Sequence, residues 1–229
     1  MIFRQLFDED SYTYTYLLAD ALSREAIIID PVNSRVESYL QLLKELGLTL
    51  VYVTDTHVHA DHITGSGLLR DATGCKSLMS EQSGTRCASA YFNDNDVIQV
   101  GALRLQCLYT PGHTSDSYCF YEEKHGMLFT GDTLLIRGSG RTDFQSGSAS
   151  SQYRSLQRLL SLPAKTVVYA GHDYKGWTMS TLAEEKQHNP RLQVADEAEY
   201  IELMNSLKLA DPKMMDVAVP ANQQCGKTQ

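Results

Sequence analysis

With 229 residues, 42% of them hydrophobic, the chain is long enough to bury one substantial core. Its formal net charge of -8, without any basic run, disfavours nucleic acid and other polyanions as partners. No apolar stretch is long enough to span a bilayer, and the start, Met1-Ile2-Phe3-Arg4-Gln5-Leu6-Phe7-Asp8-Glu9-Asp10, lacks the charged-then-apolar layout of a secretory signal. A cytoplasmic protein is the default expectation. A processed organellar form, in the mitochondrial matrix of a eukaryote, is the alternative.

The first third alternates strand and helix signals. Residues 2–7, 12–19 and 26–30 read as strands, the second a half-buried antiparallel strand because Tyr12, Tyr14 and Tyr16 alternate with threonines. Ser34 and Glu37 form a capping-box signature ahead of Val36, Leu40, Leu43 and Leu46 at helical spacing, and Gly47 closes that helix. Leu48-Thr49-Leu50-Val51-Tyr52-Val53 is a buried strand. A short helix is expected over 65–71, a strand over 75–80, and a polar, irregular flap over 84–95. Residues 97–100 and 102–110 pair as a hairpin turning at Gly101, and 117–122 with 127–130 as a second one. Residues 148–162 make an amphipathic helix that Pro163 stops, 166–170 a last strand, and the tail from Thr178 is helical, polar and broken at Asn189-Pro190. With no repeat or long linker, 1–229 reads as a single α/β domain with a short helical extension from about 178.

Chemistry concentrates where strands stop. Thr56-His57-Val58-His59-Ala60-Asp61-His62 follows the buried strand, and in extended backbone His57, His59 and Asp61 would share one side. Pro111-Gly112-His113-Thr114, Gly131-Asp132-Thr133 and Gly171-His172-Asp173-Tyr174 repeat the plan of a strand ending in a Gly or Pro turn that presents a His or Asp. Five of the seven histidines lie in these loops, which scattered core histidines would not do. Imidazole and carboxylate are ligands for zinc and iron alike. His125 and His188 are expected to face solvent. The five cysteines are odd in number and widely spaced, without a Cys-x-x-Cys, so a disulfide framework is not expected. Cys75, Cys107 and Cys119 read as small core residues, and Cys225 as an idle thiol.

The ordered set His-x-His-x-Asp-His, Pro-Gly-His113-Thr, Gly-Asp132-Thr and Gly-His172 resembles the metallo-β-lactamase superfamily. The resemblance implies an αββα sandwich of two mixed β-sheets flanked by helices, with metal at one edge. Further runs look like the persulfide dioxygenase family. They are Leu134-Leu135-Ile136-Arg137-Gly138-Ser139-Gly140-Arg141-Thr142-Asp143-Phe144, His172-Asp173-Tyr174, Glu184-Glu185-Lys186 with Asn189-Pro190-Arg191, and Val219-Pro220-Ala221-Asn222. That resemblance implies oxidation of glutathione persulfide by O2 and water to sulfite and glutathione, at one non-haem Fe(II) per chain.

By the same resemblance the iron ligands fall on His57, His113 and Asp132. Two histidines and one carboxylate form a facial triad that leaves coordination positions open. His59, Asp61, His62 and His172 either support those ligands through hydrogen bonds or hold a second metal; spacing alone does not decide. Arginine binds carboxylates bidentately, so Arg141 and Arg191, with Tyr174 and the adjacent Asp143, are the expected glutathione-binding residues. The rival reading of Arg141 is a loop-shaping salt bridge to Asp143. The alternative function is glyoxalase II, a thioester hydrolase that uses a two-metal form of the same ligands. A homodimer is expected from the family, and any sulfur-donating sulfurtransferase would be a separate chain.

Overall fold

The computed structural model describes residues 1–208 and 214–226. Strands β1 (Ile2–Asp8), β2 (Thr13–Ala19) and β3 (Glu25–Ile29) form an antiparallel meander. After helix α1 (Val36–Glu45), β4 (Thr49–Thr54) joins β3 in parallel. Helix α2 (Ser66–Thr73) leads to β5 (Lys76–Ser80) and β6 (Ala90–Phe92), which continue the parallel run. This gives a mixed six-stranded sheet in the order β1-β2-β3-β4-β5-β6. Then come β7 (Val97–Val100), β8 (Leu103–Tyr109), β9 (Tyr118–Glu122), β10 (Met127–Gly131), helix α3 (Ala149–Leu160), β11 (Val167–Ala170) and β12 (Ser180–Thr181). They make a second six-stranded sheet, β12-β11-β10-β9-β8-β7, in which β10 and β11 are parallel. Helices α4 (Leu182–His188), α5 (Glu197–Asn205) and α6 (Met215–Asn222) follow.

The chain divides into two compact units. Of the described residues, the first comprises 1–93, 97–105 and 214–226; the second comprises 94–96 and 106–208. In the first unit, Leu17, Ala19, Ile28 and Val53 from β2 to β4 pack with Val36, Tyr39 and Leu43 of α1 and Leu69 of α2. Of the α1 positions that sequence periodicity marks, Val36 and Leu43 are buried in this core and Leu40 packs on it partly buried, whereas Leu46 is outside it and Tyr39 joins it unmarked. In the second unit, Leu156 and Leu159 of α3 pack with Cys119, Leu128 and Val168 of the sheet, and with Tyr200 and Met204 of α5. Ser148 caps α3 by accepting a hydrogen bond from the Ser151 N–H, and Thr181 with Glu184 forms a full capping box on α4.

Four expectations need correction. All seven residues of β2 are buried, so its alternation does not mark a wet face; β1 and β3 flank it and both of its faces are covered. Ser34 does not cap α1. It lies inside a 3-10 turn, Asn33–Arg35, which starts early because the Asn33 N–H donates to the Ile63 carbonyl and Gly65 N–H to that of Pro31. The flap contains β6, too short to show periodicity, held by backbone pairing to β5. Finally, Cys225 is not an idle thiol: it is disulfide-bonded to Cys87, 138 residues away. Sequence spacing carried no trace of this pair because the C-terminal segment rejoins the first unit only after the long run of the second. Cys75, Cys107 and Cys119 are buried and take part in no disulfide, as expected. Among the described residues no helix is long and apolar enough to cross a membrane.

Candidate metal centre

In the first unit, polar groups gather beyond the C-terminal ends of the adjacent parallel strands β3 and β4. Asp30 follows β3, with a positive φ of 53°, and Asp55 follows β4. Both carboxyls are buried, and burial pushes each up to about 6. His57 and the Thr56 hydrogen bonds pull Asp30 back; His59, Ser66 and Thr64 do so for Asp55. The Thr56 hydroxyl donates to Asp30 Oδ2 at 3.0 Å, so its oxygen can only accept from His57 Nδ1, also at 3.0 Å. That fixes the His57 tautomer with its proton on Nδ1 and leaves Nε2 as a lone-pair donor. His59 Nε2 lies 3.1 Å from Asp30 Oδ1. His62 Nδ1 lies 2.8 Å from Asp61 Oδ2, and Thr13 reaches both residues.

The His57-to-His62 segment is not extended. β4 stops at Thr54, and turns gather the side chains instead of alternation. His57 and His59 ring centroids are 4.1 Å apart, and those of His59 and His62 4.4 Å. One ligand atom from each of His59, Asp61 and His62 falls within 4.8 Å of the others.

The second unit repeats the arrangement. Asp132 follows β10 and His172 follows β11, and these strands are parallel neighbours. His172 Nδ1 donates to Asp132 Oδ1 at 2.6 Å, while Asp132 Oδ2 lies 3.5 Å from His113 Nε2. His113 Nδ1 is 2.8 Å from the Arg141 carbonyl, which can only accept, so Nδ1 carries the proton and Nε2 faces the carboxylate. A carboxylate oxygen and an imidazole lone pair turned toward each other fit a cation. Gly140 allows this approach: a Cβ there would collide with the Asp132 carbonyl and come within 2.8 Å of His113 Nδ1.

The substrate-binding candidates divide. Arg141 binds Asp143 through two hydrogen bonds, 2.7 and 2.9 Å, and holds its carboxyl below the ordinary value. The salt bridge that the rival reading of Arg141 invokes is thus present. Tyr174 is 65% exposed, and its ring stacks on that of His172, 5.9 Å between centroids. Arg191 sits in a 3-10 turn, Pro190–Leu192, whose start Asn189 caps, and is half-buried. His125 and His188 are exposed, and His125 pairs with the buried Glu122. Asp30, Asp55 and Thr56 escaped sequence reading. The available signal was an acid directly after an apolar strand, twice over.

A family model described as the metallo-β-lactamase superfamily matches residues 9–87 and 89–172. The chain is 49% identical to "Persulfide dioxygenase ETHE1, mitochondrial" of Bos taurus, over 99% of this chain and 89% of the relative. The crystal structure of ETHE1 from Myxococcus xanthus matches with a TM-score of 0.96 at 52% identity, covering 99% of this chain and all of that one. A probable hydroxyacylglutathione hydrolase of Schizosaccharomyces pombe is 33% identical, over 89% of this chain and 90% of its own length. Two mixed sheets flanked by helices match the αββα sandwich expected from the motifs.

Proposed function

Because the chain belongs to the metallo-β-lactamase superfamily and, within it, to the persulfide dioxygenases, we infer that it is a sulfur dioxygenase that oxidises a persulfide with O2. The observation that carries this reading is similarity from end to end at 49 and 52% identity, against 33% for the hydrolase relative. With glutathione persulfide the balanced reaction is GSSH + O2 + H2O giving GSH and sulfurous acid, which ionises to sulfite. The sulfane sulfur is oxidised and O2 is reduced.

We assign the metal to His57 Nε2, His113 Nε2 and Asp132 Oδ2, and propose that it is one ferrous iron. The donor set suits it: two neutral imidazoles with fixed tautomers and one carboxylate. Ferrous iron bound there supplies the redox chemistry through which O2 reacts with sulfur, which zinc does not offer. His172 holds Asp132 by one oxygen and keeps the other directed at His113. Thr56 and Asp30 hold the His57 proton on Nδ1. In this reading His59, Asp61 and His62 shape the loop instead of holding a second metal. Arg141 and Arg191 bind the glutathione carboxylates, Tyr174 lines their approach, and Asp143 pairs with Arg141 until substrate competes for it. A homodimer, a separate sulfurtransferase donor and a cytoplasmic or mitochondrial-matrix setting are proposed from the family alone.

The test is oxygen consumption and sulfite formation with glutathione persulfide, alongside iron and zinc content. Turnover that tracks one iron per chain is the expected result. The cluster of His59, Asp61 and His62 is the observation that favours the second reading, a two-metal thioester hydrolase. Hydrolysis of S-lactoylglutathione under nitrogen, with two metals per chain and no sulfite from persulfide, would replace the dioxygenase reading.

A further inference from the structure

The C-terminal segment reaches the metal-binding loop through one side chain. Asn222, at the end of α6, is 3% exposed. Its Nδ2 donates to the carbonyls of His59 (2.9 Å) and His62 (2.8 Å), and its Oδ1 accepts from the Thr64 N–H at 2.8 Å. One carboxamide thus satisfies three backbone groups of a buried loop that forms no helix or sheet of its own. The contact spans about 160 residues of sequence and lies within the first unit.

The approach is built in from both sides. The Gly67 N–H donates to the Cys225 carbonyl at 3.1 Å, and a side chain at Gly67 would collide with that carbonyl. Gly226, at φ +80°, lies so close to the Thr64 carbonyl that a Cβ would overlap it. The Cys87–Cys225 disulfide tethers the same segment. Three independent features therefore hold Asn222 against the loop.

We propose that Asn222 is a positioning residue for the metal centre. It fixes the backbone from His59 to Thr64, and through it the course of the loop that carries His57. This rests on the assignment of His57 as a ligand. Asn222→Asp keeps the acceptor for Thr64 but replaces both donors with an anion facing two carbonyls. Asn222→Ala removes all three bonds. Ala218→Gly, at a fully buried site of α6, loosens the helix without touching the carboxamide.

Each protein is loaded with ferrous iron, and release to a ferrous chelator is timed far below the unfolding temperature. Release at least tenfold faster from Asn222→Asp and Asn222→Ala, with Ala218→Gly at the wild-type rate, is the expected result. The kcat per bound iron should fall in the Asn222 variants while KM for persulfide stays unchanged. Wild-type release rates in Asn222→Asp overturn the proposal, as does equally fast release from Ala218→Gly. Should Asn222→Ala fail to fold, Asn222→Asp still decides. A wild-type protein that retains no iron removes the ligand assignment itself, a different failure recognisable before any variant is made.

Discussion

His172 Nδ1 donates to Asp132 Oδ1 across 2.6 Å, and the two residues come from the ends of neighbouring parallel strands. Each strand ends in a turn, so the backbone places the pair before any metal arrives. The carboxylate is thereby left with one committed oxygen and one presented to His113.

His172→Ala should weaken metal affinity about 10–100-fold, the usual effect of removing a hydrogen-bond partner from a ligand. Asp132→Ala should abolish binding. Equilibrium competition against a chelator measures both. If His172 were itself a ligand in a two-metal centre, the stoichiometry would drop from two to one, and this is the result that would count against its supporting role.

Thr56→Val keeps the shape of the side chain and removes the hydroxyl between Asp30 and His57. Two buried groups then lose a partner, so destabilisation of about 1–3 kcal/mol is expected. Metal affinity should fall too, about tenfold, because the His57 proton is no longer fixed on Nδ1. Urea unfolding of metal-free protein and chelator competition separate the two effects. Loss of stability with unchanged affinity would mean that Thr56 serves packing alone.

The Arg141–Asp143 pair gives opposite expectations for its two members. Arg141→Ala should raise KM for glutathione persulfide about tenfold, the loss of one charge-assisted contact of roughly 1.4 kcal/mol, and leave iron content intact. Asp143→Ala frees the guanidinium, and KM should fall or hold steady. Steady-state kinetics at a fixed iron content checks both. An increase in KM for both variants would identify the ion pair as a loop brace.

Asp8 is buried at the end of β1. Burial pulls its carboxyl upward, but hydrogen bonds from Ser11 and Arg35 outweigh this and leave it below its ordinary value. A group depressed by folding stabilises the native state above its unfolded pKa of roughly 3.9, and that stability is lost as pH falls through the lower folded value. Asp8→Asn should therefore cost about 1–2 kcal/mol at pH 7 and progressively less below pH 4. Unfolding free energies from pH 2.5 to 7 test this; a pH-independent difference would assign the cost to lost shape.

The elements that sequence pattern revealed are those decided by local chemistry. Gly101 turns the β7–β8 hairpin, Ser148 starts α3, and the apolar spacing of α1 faces its core. Asp132 and His172 stood out because each follows a glycine at the end of a strand, and His113 because Pro111-Gly112 turns the chain shortly after β8. Other features depend on distant partners and left no local mark. Asp30 reaches Thr56 across 26 residues, Asn222 reaches His62 across 160, and Cys87 meets Cys225 across 138. Ser34 misled because a capping motif describes only its own turn. The Asn33 and Gly65 hydrogen bonds to residues 63 and 31 decided where winding began.

Gly140 and Gly171 both press against Asp132. The first would drive any side chain into its carbonyl, and a Cβ on the second would come within 2.9 Å of Oδ1. On these sides Asp132 is walled by bare peptide, Gly140 against its carbonyl and Gly171 against its carboxylate, with no rotamer to swap and no side chain to trim. Directed evolution of substrate range should therefore find its productive changes among the longer side chains further out, such as Arg141, Tyr174 and Arg191. Libraries that randomise the two glycines should return mostly inactive clones.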